Sequence, residues 1–263
     1  MPSVSIGDTR LFVQIQGEGA PLLLVHGFPL DHTMWQAQID EFSRDYQVIA
    51  PDLRGFGQSD PPSVPLSMEQ HADDMAQLLS VLKIHEPVTF CGLSMGGYVA
   101  WQFCVRHMPR VHRLIVADTR ALPDSPEVAA GRIKTARTVL DEGVGLIANA
   151  MLPRLFPADL VKSRPTFVES TFQVMMSTRP ETVAGALLGM AERPDMSTRL
   201  HEITVPTLVV CGELDAISPA KEMRGIAGDL PQGKYVEIAG AGHMSPMEKP
   251  AEFNLAMREF LRG

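Results

Sequence analysis

Leu22-Leu23-Leu24-Val25 is apolar at four consecutive positions and stops abruptly at His26-Gly27. Successive residues of a strand point to opposite faces, so a run like this has both faces to bury. Only a strand inside a sheet covered on both sides meets that demand. Further short strand-like runs lie at Gln47 to Pro51 (ending at Asp52), Pro87 to Gly92, Arg113 to Asp118, Val205 to Val210 and Lys234 to Ile238. Thr9 to Gln16 differs: it alternates, with Leu11, Val13 and Ile15 apolar, as a half-exposed edge strand would. Helical stretches lie between the runs. Ser67 to Leu82 starts on a capping serine and places Met75, Leu78, Leu79 and Leu82 on one face. Met95 to His107 and Pro250 to Leu261 are also helical, the latter with proline in its first turn. Strand and helix in alternation specify an α/β chain: a mostly parallel sheet with flanking helices.

The rhythm breaks between Ala121 and Arg199, where no strand-like run occurs and Pro123, Pro126, Pro153, Pro157, Pro165, Pro180 and Pro194 divide the segment into short helices. Residues 1–120 and 200–263 therefore read as one core, and residues 121–199 as a helical cap inserted into it. Insertions of this kind usually cover a site. A chain of 263 residues buries enough surface to need no disulfide or metal staple. Lys and Arg number 23 against 31 Asp and Glu, a net charge of −8, which gives no footprint for nucleic-acid phosphates or anionic lipid. No run of apolar residues is long enough to span a membrane. Met1-Pro2-Ser3-Val4-Ser5 lacks the basic and apolar regions of a secretory leader. Cys91, Cys104 and Cys211 cannot all pair, and each lies in an apolar stretch. They read as reduced core residues of a cytoplasmic protein. No cluster has metal-ligand spacing.

Chemistry concentrates at the ends of the strands. Gly92-Leu93-Ser94-Met95-Gly96 fits G-x-S-x-G, with an apolar strand before it and a helix after it. A sharp strand-to-helix turn lifts the serine hydroxyl out of the sheet, and the helix N-terminus offers N–H groups to an anion. A serine hydroxyl is a weak nucleophile and needs a base. Of eight histidines, His243 lies in a small-residue loop after the last strand, Gly240-Ala241-Gly242-His243-Met244. His71, His85, His107, His112 and His201 read as solvated surface groups. The base in turn needs an acid to fix its tautomer. Asp215, just past Val209-Val210-Cys211-Gly212, is the candidate, with Asp118 at another strand end as its rival.

These residues, taken together, resemble the α/β-hydrolase superfamily over nearly the whole chain, which implies the α/β-hydrolase fold: a mostly parallel eight-stranded sheet with flanking helices and the helical cap inserted after its sixth strand. Ser94, Asp215 and His243 fall in that family's chain order. Leu24-Val25-His26-Gly27-Phe28-Pro29 is similar to its oxyanion loop, and the resemblance implies an oxyanion hole from the backbone N–H groups of Phe28 and Met95. By the same likeness, His26 and the Asp52-Leu53-Arg54-Gly55-Phe56-Gly57-Gln58-Ser59 loop are structural. Val205 to Asp215 matches the acid segment, and Ala241-Gly242-His243 followed by Glu248-Lys249-Pro250 the base segment. The implied chemistry is acyl transfer through an acyl-enzyme, without metal or organic cofactor.

Within the superfamily, Ser94 disfavours the branches that use an aspartate nucleophile. The His26 to Asp31 run lacks the glycine-rich loops of carbon–carbon bond hydrolases and of many lipases. With Trp35 it is most similar to the cofactor-free haloperoxidase or perhydrolase branch and its small serine carboxylesterases. Asp118-Thr119-Arg120 resembles segments of lactonases. The expectation is a carboxylic ester hydrolase, lactones possible, acting with water on a small, largely apolar substrate. A triad-retaining ligand receptor is the alternative. Acyl preference and oligomeric state are left open. So is the role of the 15 methionines, which fit an adaptable pocket and ordinary core filling equally well.

Overall fold

Leu23 and Val25 belong to one buried cluster and Leu22 and Leu24 to another, so the apolar run divides between the two faces of a sheet. The structure is a computed structural model that describes residues 3–62 and 66–263; Met1 and Pro2, part of the leader expectation, lie outside it. The strands are β1 (Ser3–Ile6), β2 (Thr9–Gln16), β3 (Ala20–Val25), β4 (Tyr46–Pro51), β5 (Val88–Leu93), β6 (Val111–Ala117), β7 (Thr207–Gly212) and β8 (Gly233–Ile238). They form one sheet in the order β1-β2-β4-β3-β5-β6-β7-β8. β1 and β2 enter antiparallel, and the pairs from β4 through β8 are parallel. Thr9 to Gln16 is therefore not the edge. Ser3–Ile6 pairs outside it and buries Val4 and Ile6, a strand too short for its alternation to stand out in the sequence.

The helices of the core are α1 (Gln36–Phe42), α2 (Met68–Val81) and α3 (Met95–His107), and five more follow between β6 and β7: α4 (Pro126–Glu142), α5 (Gly145–Leu155), α6 (Ala158–Ser163), α7 (Pro165–Ser177) and α8 (Pro180–Ala191). The chain ends with α9 (Ala220–Asp229), α10 (Ser245–Glu248) and α11 (Pro250–Arg262). Ile39 and Phe42 of α1 pack with Phe253, Met257 and Phe260 of α11 on one side of the sheet. Helices α2, α3 and α9 cover the other. Pro126, Pro165 and Pro180 open their helices at N1, where a missing N–H costs nothing. Pro153 departs from expectation. It lies inside α5, which continues to Leu155.

His71 is not a surface group. It is fully buried, and neither ring nitrogen has a hydrogen-bond partner among the described residues. Burial pushes its imidazole down to about 4, so it is a neutral filler in the α2 face. Cys91, Cys104 and Cys211 are buried and unpaired. No helix of the described residues is long and apolar enough to cross a membrane. Phe103 of α3 is fully buried against Phe90 of β5, ring centroids 5.1 Å apart. Phe103→Ala leaves a cavity between helix and sheet, and we expect it to lower unfolding free energy by about 3–5 kcal/mol. The check is a shift of the denaturation midpoint at constant m-value.

Candidate active site

The C-terminal ends of β3, β5, β6, β7 and β8 meet at one edge of the sheet, and each delivers a polar group there. After β5, Ser94 turns the chain into α3 with φ +53° and ψ −112°. A side chain tolerates that conformation only when neighbours over-determine it. The neighbours do so by close packing. A Cβ on Gly92 would strike the carbonyl of Gly96, and one on Gly96 would strike the carbonyl of Val25. Small residues are thus required on both sides of Ser94. The Thr119 hydroxyl donates to the Ser94 carbonyl at 2.7 Å and pins the turn from the β6 side.

After β8, the loop brings His243 over this turn. Its Nε2 lies 2.9 Å from Ser94 Oγ, and its Nδ1 lies 2.9 Å from Asp215 Oδ2. The carboxylate can only accept, so Nδ1 carries the proton and Nε2 presents its lone pair to the serine. Asp215 is held in turn after β7. Its Oδ1 accepts the N–H groups of Ile217 at 2.7 Å and Ser218 at 3.0 Å. Its Oδ2 accepts the Ser218 hydroxyl at 2.5 Å. Burial pushes the Asp215 carboxyl up, but the His243 charge and hydrogen bond together with Ser218 outweigh it and hold the group below the usual carboxylate range. Asp215 and His243 are both almost fully buried, and Ser94 is half-buried.

Two further groups brace the histidine loop. Glu248 accepts the backbone N–H groups of Gly242 and Met244, both at 2.9 Å. Burial drives its carboxyl above the ordinary value, against those hydrogen bonds. Asp118, the rival acid, does not reach His243. It accepts Gly212 N–H at 2.7 Å and the Ser245 hydroxyl at 2.5 Å, tying the end of β7 to the start of α10. Burial, followed by the nearby Asp215 charge, raises its carboxyl well above the usual range. Sequence reasoning did not find Ser218 or Ser245. For Ser218 the one available signal was its spacing, a hydroxyl three residues after an aspartate that accepts turn N–H groups.

The loop after β3 faces the same point. His26 Nε2 accepts Leu53 N–H at 3.0 Å, and Leu30 N–H donates to the Gly27 carbonyl at 3.0 Å. Asp52 accepts the His32 backbone N–H at 2.8 Å and that of Gln58 at 2.8 Å. Both motifs are therefore internally bonded supports. The N–H groups of Phe28 and Met95 donate to no described residue. Two side-chain clusters, Asp31 with His32 and Asp52, and Asp118 with Cys211 and Asp215, come close enough to share a cation. In both, the carboxylates already accept protein donors, so their lone pairs are engaged within the fold.

A cavity of about 580 Å³ opens on Ser94 and His243. Phe28, Met151, Leu187, Met190 and Ile217 make its apolar wall, and helices α4, α5 and α8 contribute much of the lining. Of the described methionines, only Met151 and Met190 reach this cavity. Met95, Met175, Met196 and Met244 are core residues.

The family model described as alpha/beta hydrolase fold matches residues 20–250. The chain is 45% identical to a thermophilic esterase from Thermogutta terrifontis whose structure was solved with malate bound, covering 100% of this chain and 98% of that one with a TM-score of 0.97. It is 32% identical to the enol-lactonase from Burkholderia xenovorans LB400, covering 100% of both chains with a TM-score of 0.92. It is 28% identical to 3-oxoadipate enol-lactonase 2 of Acinetobacter baylyi over 94% of this chain and 90% of the relative. An eight-stranded sheet, a strained serine at the end of β5 and full-length similarity to such enzymes make the chain a member of the α/β-hydrolase family and a hydrolase.

Proposed function

We propose that the protein hydrolyses a carboxylic ester or lactone of a small molecule, with Ser94 as nucleophile, His243 as base and Asp215 as acid. The observation that carries this reading is the unbroken hydrogen-bonded line from Ser94 through His243 to Asp215, opening into the cavity. His243 Nε2 takes the Ser94 proton as Oγ bonds to the carbonyl carbon. The carbonyl oxygen gains charge and turns to the free N–H groups of Phe28 and Met95; one such donor is worth about 100- to 1000-fold in rate. The imidazolium keeps its Nδ1–H on Asp215 and protonates the departing alkoxide. Water then repeats the sequence on the acyl-enzyme and releases the acid. Residues 121–199 act as the cap whose helices shape the acyl and alcohol pockets. Esterase and enol-lactonase relatives support both ester and lactone substrates. Buried, unpaired cysteines support a cytoplasmic location.

The experiment is turnover of short-chain p-nitrophenyl esters and a series of lactone ring sizes by wild type and Ser94→Ala. Brisk turnover that disappears in the variant is the expected result. Wild-type turnover of a few per hour or less, with ligands that raise the melting temperature, would instead support a ligand receptor built on the same triad.

A further inference from the structure

The chain carries a net charge of −8, yet the cavity beside Ser94 is cationic. Its lining includes Arg120, Arg132 and Arg154 and a single carboxylate, Asp124. Arg120 is neutralised from outside the cavity, with Nε 2.9 Å from Glu222 Oε1. Asp124 is shared. Arg132 Nε approaches its Oδ2 at 2.5 Å, and Arg193 reaches its Oδ1 at 2.8 Å while its guanidinium lies over the Tyr98 ring. Two guanidiniums thus close on one buried carboxylate and leave one positive charge over. Arg154 adds another. Leu146, Ile147, Ala150, Met151 and Arg154 line the cavity from one face of α5, and among the described residues no carboxylate lies within ion-pair distance of Arg154. Arg154 is exposed and lines the same cavity as Ser94 and His243, and the next residue, Leu155, accepts the backbone N–H of His243 at 3.0 Å.

A wholly apolar substrate would press hydrocarbon against these guanidiniums and strip their water without replacing it. A carboxylate matches the planar fork of donors and supplies the missing charge. We propose that the substrate is an anionic ester or lactone carrying a free carboxylate away from the scissile carbonyl, and that Arg154 together with Arg132 receives that carboxylate. This refines the expectation of a largely apolar substrate and rests on the proposed hydrolysis. The competing role for Arg154 is a favourable cation at the C-terminal end of α5. That role affects stability but does not distinguish one ester from another.

The test compares kcat/KM for monomethyl glutarate with that for methyl valerate, and for 3-acetoxypropanoate with that for butyl acetate, placing the carboxylate on either side of the scissile bond. Wild type is expected to favour the anionic member of at least one pair. Arg154→Gln and Arg132→Gln are expected to lower that preference by about 10- to 100-fold, the worth of a hydrogen bond to a charged group. Raising ionic strength is expected to erode it in wild type. Calorimetric binding of glutarate to wild type and both variants reads the anion site without turnover. Arginine-dependent glutarate binding with neither ester hydrolysed keeps the anion site and removes the hydrolase reading. Hydrolysis of the neutral esters, with no preference or glutarate binding that depends on either arginine, overturns the anion site and keeps the hydrolase.

Discussion

Ser94→Ala is expected to lower kcat by about 10⁶-fold, and His243→Ala by a similar factor. The double variant is expected to be no worse than either single one, because the two side chains act as one unit through the 2.9 Å bond between Ser94 Oγ and His243 Nε2. Residual turnover above the uncatalysed rate would come from the N–H groups of Phe28 and Met95, which neither substitution touches. Steady-state kinetics on a chromogenic ester, with melting temperatures alongside, checks the prediction. A Ser94→Ala protein that keeps its fold and also keeps a substantial rate would remove the nucleophile assignment. The fold should hold, since alanine inherits the same tight turn between Gly92 and Gly96 and loses only the hydroxyl.

The second large effect separates two aspartates that the sequence places at comparable strand ends. Asp215→Asn is expected to cost about 10⁴-fold in kcat, since an amide stabilises the wrong imidazole tautomer. Asp118→Asn is expected to cost at most about 100-fold, the scale of a small misplacement of reacting groups. Its carboxyl binds Gly212 N–H and the Ser245 hydroxyl rather than the imidazole, so its loss disturbs the loops without removing a proton partner. Reversal of this order would move the acid role to Asp118.

Much of this layout was legible in the chain because the constraints were local. Leu22 to Val25 and Leu208 to Val210 are apolar throughout, which leaves a sheet interior as their only home. Ser94 follows β5 at once, Asp215 lies three residues past β7 and His243 five past β8, so topology carries them to one edge. His71 shares a helical face with Met75, Leu78 and Leu79, and that periodicity, rather than its residue type, decides its burial. Other features depend on contacts that no local pattern encodes. The Ser245–Asp118 bond joins residues 127 apart in sequence. The arginine-lined cavity depends on how α4 and α5 pack around it, and their sequences give helix positions but not the direction each face turns.

The Leu155 carbonyl, which receives the His243 N–H, has a consequence for modular engineering. The segment between β6 and β7 invites replacement as a cassette, since it enters and leaves at neighbouring strands of the sheet. One of its backbone atoms is nevertheless part of the scaffold that aims the imidazole. A chimera that imports a foreign cassette must rebuild an acceptor at position 155, or the transplant will change reaction rate along with selectivity.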